Sequence, residues 1–113
     1  MARASRMTAL SGSGIEPWPG YAAHSLSKAG MVMLTRVLAR ALAPEVTVNA
    51  IAPGTVLVPD DYDQAERDRL AETTPLKRLG KPGDAVEAML YLLERADFTT
   101  GDVLVVDGGR VLR

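Results

Sequence analysis

The chain has no cysteine in its 113 residues. That excludes disulfides and thiolate metal centres, and it fits a reducing, cytoplasmic compartment. Histidine is nearly absent as well. With His24 alone, a multi-histidine metal site cannot form within one chain, and no metal site is predicted. Charge of either sign is not in excess. Thirteen basic residues face fourteen acidic ones, for a formal net charge of -1, so there is no electrostatic case for nucleic acid or an anionic membrane as partner. No apolar run approaches the ~20 residues that span a bilayer. Arg3 and Arg6 are followed by Met7-Thr8-Ala9-Leu10-Ser11-Gly12, too short an apolar stretch for a secretory leader. What is present is a globular composition, 47% hydrophobic, of a length that fits one domain or part of one.

Read along the chain, Met7 to Leu10 is a mildly apolar run entering the turn residues Ser11-Gly12-Ser13-Gly14, as at the end of a strand. Pro17, Pro19 and Gly20 then interrupt the chain. From Ala22 to Ala43 there is no proline and only Gly30. Leu26, Gly30, Leu34, Val37, Leu38, Ala41 and Leu42 recur at spacings of three and four, which predicts a long amphipathic helix with that stripe as its apolar face. Pro44 ends it. Val46 to Ile51 is short and β-branched, a buried strand, and Pro53-Gly54 turns the chain out of it. The charged run Asp60 to Arg67 predicts a short exposed helix. Pro82-Gly83-Asp84 marks another helix start, with Ala85, Val86, Met89, Leu90 and Leu93 as apolar face. Val103 to Val106 is a continuous apolar strand of the type buried on both faces of a parallel sheet. The order strand, helix, strand, short helix, helix, strand predicts α/β layering with right-handed crossovers. Three strands are few for a doubly wound sheet.

Three pieces carry a resemblance: Tyr21-Ala-Ala-His24-Ser-Leu-Ser27-Lys28-Ala-Gly30, then Val48-Asn49-Ala-Ile-Ala-Pro53-Gly54, then Val106-Asp107-Gly108-Gly109. In this order and spacing they resemble the C-terminal half of a short-chain dehydrogenase/reductase, a family that moves hydride between NAD(P) and a carbonyl or imine. The implied fold is a partial Rossmann-like, doubly wound parallel sheet over residues 1–113, with the N-terminal nucleotide-binding half absent. Residues 36–54 and the ending Asp107 to Arg113 look most like the pteridine reductase and dihydromonapterin reductase branch. A carbonyl or pterin-like substrate and NADP or NAD are implied. Long helices at this position in the family pack across a dimer interface, so the resemblance also implies a homo-oligomer through the helix at 22–43.

The resemblance assigns roles residue by residue. Lys28 would hydrogen-bond the nicotinamide ribose and tune its neighbour, because an ammonium beside a phenol favours the phenolate. The family's proton-transfer tyrosine, four residues before the lysine, is His24 here. At ~100° per residue His24 and Tyr21 both share the helix face of Lys28. An imidazole is shorter than a phenol, and a neighbouring ammonium disfavours its protonated form. Tyr21 stands at the seven-residue spacing of the enoyl-acyl-carrier-protein reductase branch, and it is equally a packed aromatic at a helix start. Either residue is a candidate donor. Ser11, thirteen residues before position 24, would hold the substrate carbonyl, with Ser13 as the second choice. Pro53, Gly54, Thr55 and Val56 would meet the nicotinamide carboxamide through their backbone, while Val58 stands where the family usually has a hydroxyl.

Three departures support a different reading, a non-catalytic remnant that associates with full-length relatives. The proton-transfer tyrosine is replaced, and the sequence holds neither the glycine-rich pyrophosphate loop nor the asparagine of the family's preceding helix.

Overall fold

The computed structural model describes residues 4–9 and 19–112. The elements are β1 (Ala4–Ala9), α1 (Ala22–Ala41), β2 (Val46–Pro53), α2 (Gln64–Thr73), α3 (Pro82–Glu94) and β3 (Val103–Val106), with short 3-10 turns at Pro19–Tyr21 and Arg110–Leu112. The three strands form one parallel sheet in the order β1-β2-β3. Ala4 to Ala9 pair with Val46 to Ile51, and Ala50 to Pro53 pair with Val103 to Val106. This is the expected α/β architecture.

The central strand separates two helical layers by the alternation of its side chains. Ala50 and Ala52 face α1, packed with Met31 and Val32. Ile51 faces α3, where Leu92, Ala96 and Met89 close around it. All six residues from Thr47 to Ala52 are buried, as a strand covered on both faces requires. β3 differs from the expectation. It is only half-buried and Val105 is 37% exposed, because among the described strands it pairs on one side alone, with β2.

The long helix forms where expected but turns the other way. Its inward face is Ser25, Lys28, Met31, Val32, Thr35, Leu38 and Ala39. Of the apolar stripe predicted to face the core, Leu38 alone turns inward. Leu26 is 73% exposed, Leu34 51% and Val37 53%. The cause is the surface opposite. Ala50 and Ala52 present little more than backbone and leave room for Met31 and Val32, and Thr35 is tolerated in the interior because its hydroxyl donates to Met31 O at 2.8 Å. The helix ends at Ala41 rather than Ala43, since the residue preceding a proline is disfavoured in the α conformation.

The charged run is also displaced. Asp60 to Asp63 lie outside the helix, and α2 runs on to Thr73. Asp63 is its cap: Glu66 N donates to Asp63 Oδ1 at 2.8 Å and Asp63 N donates to Glu66 Oε2 at 2.9 Å. This reciprocal capping box fixes the start at Gln64, four residues later than the charges alone suggest.

Asn49 sets the register of β3 on β2. It is 1% exposed. Its Nδ2 donates to Thr99 O at 3.1 Å and its Oδ1 accepts from Asp102 N at 3.1 Å. Beside it Gly101 N donates to Val48 O, and Val48 N donates to the Thr100 hydroxyl. Replacing the amide by an apolar group of similar size strands a carbonyl and an N–H. Asn49→Leu is expected to lower unfolding free energy by about 2 kcal/mol in urea titration, and an unchanged midpoint would show that the turn holds itself.

Candidate functional site

In an open parallel α/β sheet, ligands gather at the carboxyl ends of the strands. Two contacts orient α1 against that edge. Ala39 lies beside Gly101, at the amino end of β2, where Gly101 N bonds Val48 O. Met31 and Val32 lie over Ala50 and Ala52. Lys28 is therefore about one helical turn farther, toward the end at which Pro53-Gly54 leaves the sheet.

The first turns of α1 carry the predicted proton chemistry. Lys28 is half-buried, and among the described residues its Nζ reaches only the thioether of Met31, at 4.0 Å. No carboxylate neutralises it within 4 Å among those residues. His24 and Tyr21 are exposed, Tyr21 by 64%. The structure thus separates the three by burial: the cation is sheltered, while both candidate donors stand at the surface. Ser11 and Ser13 lie outside the described residues. Ser25, which the sequence reading passed over, has a buried Oγ with no hydrogen-bond partner among the described residues. Its signal was positional, since it lies three residues before Lys28 on the inward stripe.

The Pro53 to Val56 loop is anchored from behind. Gly54 N donates to Val106 O at 2.9 Å, extending the β2–β3 ladder past its last pair. A Cβ on Gly54 would come within 2.8 Å of Asp107 Cα, so only glycine allows the loop to lie against the end of β3. Thr55 O accepts from Gly80 N at 2.9 Å, and the Thr55 hydroxyl accepts from Arg110 Nη1 at 2.9 Å. These groups are committed to the protein. What they secure is the position of the loop, which is the part the resemblance gives to the nicotinamide carboxamide. Val58, half-buried, adds no hydroxyl.

The support for this loop comes from the C-terminal turn. Asp107 Oδ1 and Oδ2 accept from Gly109 N and Val111 N at 2.8 and 3.0 Å. Gly108 and Gly109 have φ of 67° and 90°, a region that favours glycine. Asp107-Gly-Gly is thus a structural stop. Arg110 was missed as a contact to Thr55, because 55 residues separate the two in sequence.

A second electrostatic pair frames the start of α3. Arg78 Nη1 donates to Asp84 Oδ2 at 2.9 Å and Nη2 donates to Oδ1 at 3.3 Å, while Lys81 N donates to the same carboxylate at 2.7 Å. The Arg78 guanidinium, with the Lys81 N–H second, holds the Asp84 carboxyl at about 2, below its ordinary 3.8. A depressed carboxyl favours the fold above its unfolded value and loses that effect as it protonates. The Asp84 contribution is therefore full above about pH 4 and disappears as pH falls toward 2. Comparing melting temperatures of the parent and Asp84→Asn over that range should show the two converging. A constant difference would mean that the pair is not the source.

Among the described residues no group of acidic and histidine side chains could hold a metal ion. None of the described helices is long and apolar enough to cross a membrane.

Comparison with known proteins agrees with this geometry. The sequence profile of the family described as Enoyl-(Acyl carrier protein) reductase matches residues 1–110. Carbonyl reductase family member 4 of Danio rerio is 39% identical over 85% of the chain and 40% of its own length. A solved structure titled as a short-chain dehydrogenase/reductase, glucose/ribitol dehydrogenase, from Brucella melitensis superposes with a TM-score of 0.84. It is 33% identical, over 94% of the chain and 44% of that structure. A gluconate 5-dehydrogenase from Burkholderia cenocepacia, solved with NADP and tartrate, is 26% identical with a TM-score of 0.86, over 98% of the chain and 46% of that structure. The chain spans about two fifths of the length of the curated relatives it matches, 36% to 43%.

Proposed function

The chain belongs to the short-chain dehydrogenase/reductase family, and from that premise we propose that it carries the nicotinamide and proton-transfer end of an NAD(P)-dependent oxidoreductase. The carrying observation is Lys28: a half-buried ammonium with no carboxylate within 4 Å among the described residues, one turn beyond the α1–β2 contact, on the approach to the Pro53-Gly54 exit. An unneutralised cation in that position fits the hydroxyls of a nicotinamide ribose. When bound in its reduced form, NADPH or NADH would supply the hydride.

The chain's own residues would do the rest. Lys28 orients the ribose. The Pro53 to Val56 loop, held rigid by Val106, Arg110 and Gly80, sets where the carboxamide lies. The proton goes to the substrate oxygen from His24 or from Tyr21 Oη, with Ser11 holding that oxygen. We assign a small carbonyl or pterin-like substrate, on the resemblance of residues 36–54 and 107–113 to the pteridine reductases. A cytoplasmic setting accompanies that assignment.

No glycine-rich loop in the sequence offers backbone donors to a pyrophosphate, so the chain alone is expected to bind NADPH or NADH weakly. Titration followed by nicotinamide fluorescence should not saturate at low micromolar concentration; saturation there would contradict this assignment. Joined to a nucleotide-binding half from a relative, Lys28→Ala should abolish reductase activity and His24→Tyr should raise it by about 10²-fold. Tyr21→Phe and His24→Ala then identify the donor, as the one whose loss removes activity. Activity unchanged in both would eliminate the proton-transfer assignment.

The replaced tyrosine favours a second reading, in which the chain is non-catalytic and acts as an association partner. Both readings share one surface. Leu26, Met33, Leu34 and Val37 are each more than half exposed on the outer face of α1, a contiguous apolar stripe that suits a second helix. We propose a homo-oligomer through this helix. Sedimentation of the chain should show a dimer or larger species, and Leu34→Glu with Val37→Glu should shift it to monomer. A clean monomer of the parent chain would refute the proposal.

A further inference from the structure

The β2–α2 loop, the link between α2 and α3, and the C-terminal turn enclose a cavity of about 500 Å³ at the carboxyl ends of β2 and β3. That volume accommodates a small organic molecule. Lys28, His24 and Tyr21 do not line it, so it is distinct from the proposed proton-transfer site. Val56, Leu79, Val105 and Leu112 give it apolar walls.

Its charges are unequally satisfied. Arg78 and Asp84 neutralise each other through two hydrogen bonds. Both oxygens of Asp107 accept backbone N–H groups. Glu87 is exposed at the rim, where water screens it. Arg110 is different. Its Nη1 donates to the neutral Thr55 hydroxyl, its Nε is buried without a partner, and no carboxylate lies within 4 Å of it among the described residues. Arg110 lines the cavity. A half-buried guanidinium with one neutral partner is a poor resting state for a charge, and a carboxylate is the group whose geometry and charge match it.

We propose that this cavity binds a small monocarboxylate with an apolar body, its carboxylate on Arg110 and its body against Val56, Leu79 and Leu112. Because Arg110 also holds the Thr55 hydroxyl, occupancy is transmitted to the Pro53 to Val56 loop. The proposal stands independently of hydride transfer.

Benzoate is a suitable probe, with the neutral isostere benzamide as control. In the full chain, isotope-labelled for NMR, benzoate should produce saturable shifts of the Arg110 Nε–H and the Thr55 amide, and benzamide should not. Arg110→Gln should weaken the response about tenfold or more. Leu112→Glu, at an exposed position, should place a competing carboxylate beside Arg110 and reduce the response without disturbing the fold, so a failure of Arg110→Gln to fold does not void the test. Equal response to benzamide, non-saturating shifts, or full benzoate binding by both variants would overturn the proposal.

Discussion

The buried amide of Asn49 is the constraint on which the rest depends. A parallel strand reached through a helix has no hairpin to fix its register. Here the register is set by one side chain in the middle of β2, which accepts from Asp102 N and donates to Thr99 O just before β3 begins. Once Asp102 is fixed, Val103 pairs with Ala50 and Val106 with Pro53. That brings Asp107 against Gly54, where no Cβ fits. A buried hydrogen-bonded amide in the middle of the strand thus helps determine the position of a loop at its carboxyl end, some four residues away.

The loop is the point at which structure becomes chemistry. Its backbone is held by Val106 O and Gly80 N, and its hydroxyl by Arg110. A loop anchored at the carboxyl edge, and a lysine with no carboxylate within 4 Å among the described residues on the helix that leads there, are the parts from which the proposed nicotinamide site is built. They belong to different elements, and β2 is what both are packed or built on. The family relationship is consistent with this division, because the chain spans only part of each relative.

Much of this was legible in the sequence. Pro44, Pro53-Gly54 and Pro82 marked element ends, since proline and glycine constrain the backbone wherever they stand. The lysine, its preceding turn and the Pro-Gly loop were readable from spacing and resemblance. The facing of α1 was not. Hydrophobic periodicity assumes that the largest apolar residues turn inward, yet Leu26, Leu34 and Val37 point out, and the inward stripe is Ser25, Lys28, Thr35 and Ala39 with Met31, Val32 and Leu38 between them. A helix that packs on small alanines and carries its larger apolar residues on the opposite, exposed face has two stripes, and composition favours the larger. The contact of Arg110 with Thr55 was equally hidden, because it depends on two parallel strands ending side by side. Ser11, the substrate-holding candidate, lies outside the described residues.

The central claim is that Lys28 and the loop at Pro53 to Val56 together form the nicotinamide end of a site. Saturation-transfer NMR with nicotinamide mononucleotide tests it most directly, since this ligand lacks the adenosine half and its pyrophosphate. The account predicts transfer to the nicotinamide and ribose protons in the parent chain, with the ribose signal lost in Lys28→Met while the protein's own amide spectrum is retained. Transfer of equal strength in the parent and in Lys28→Met would contradict it.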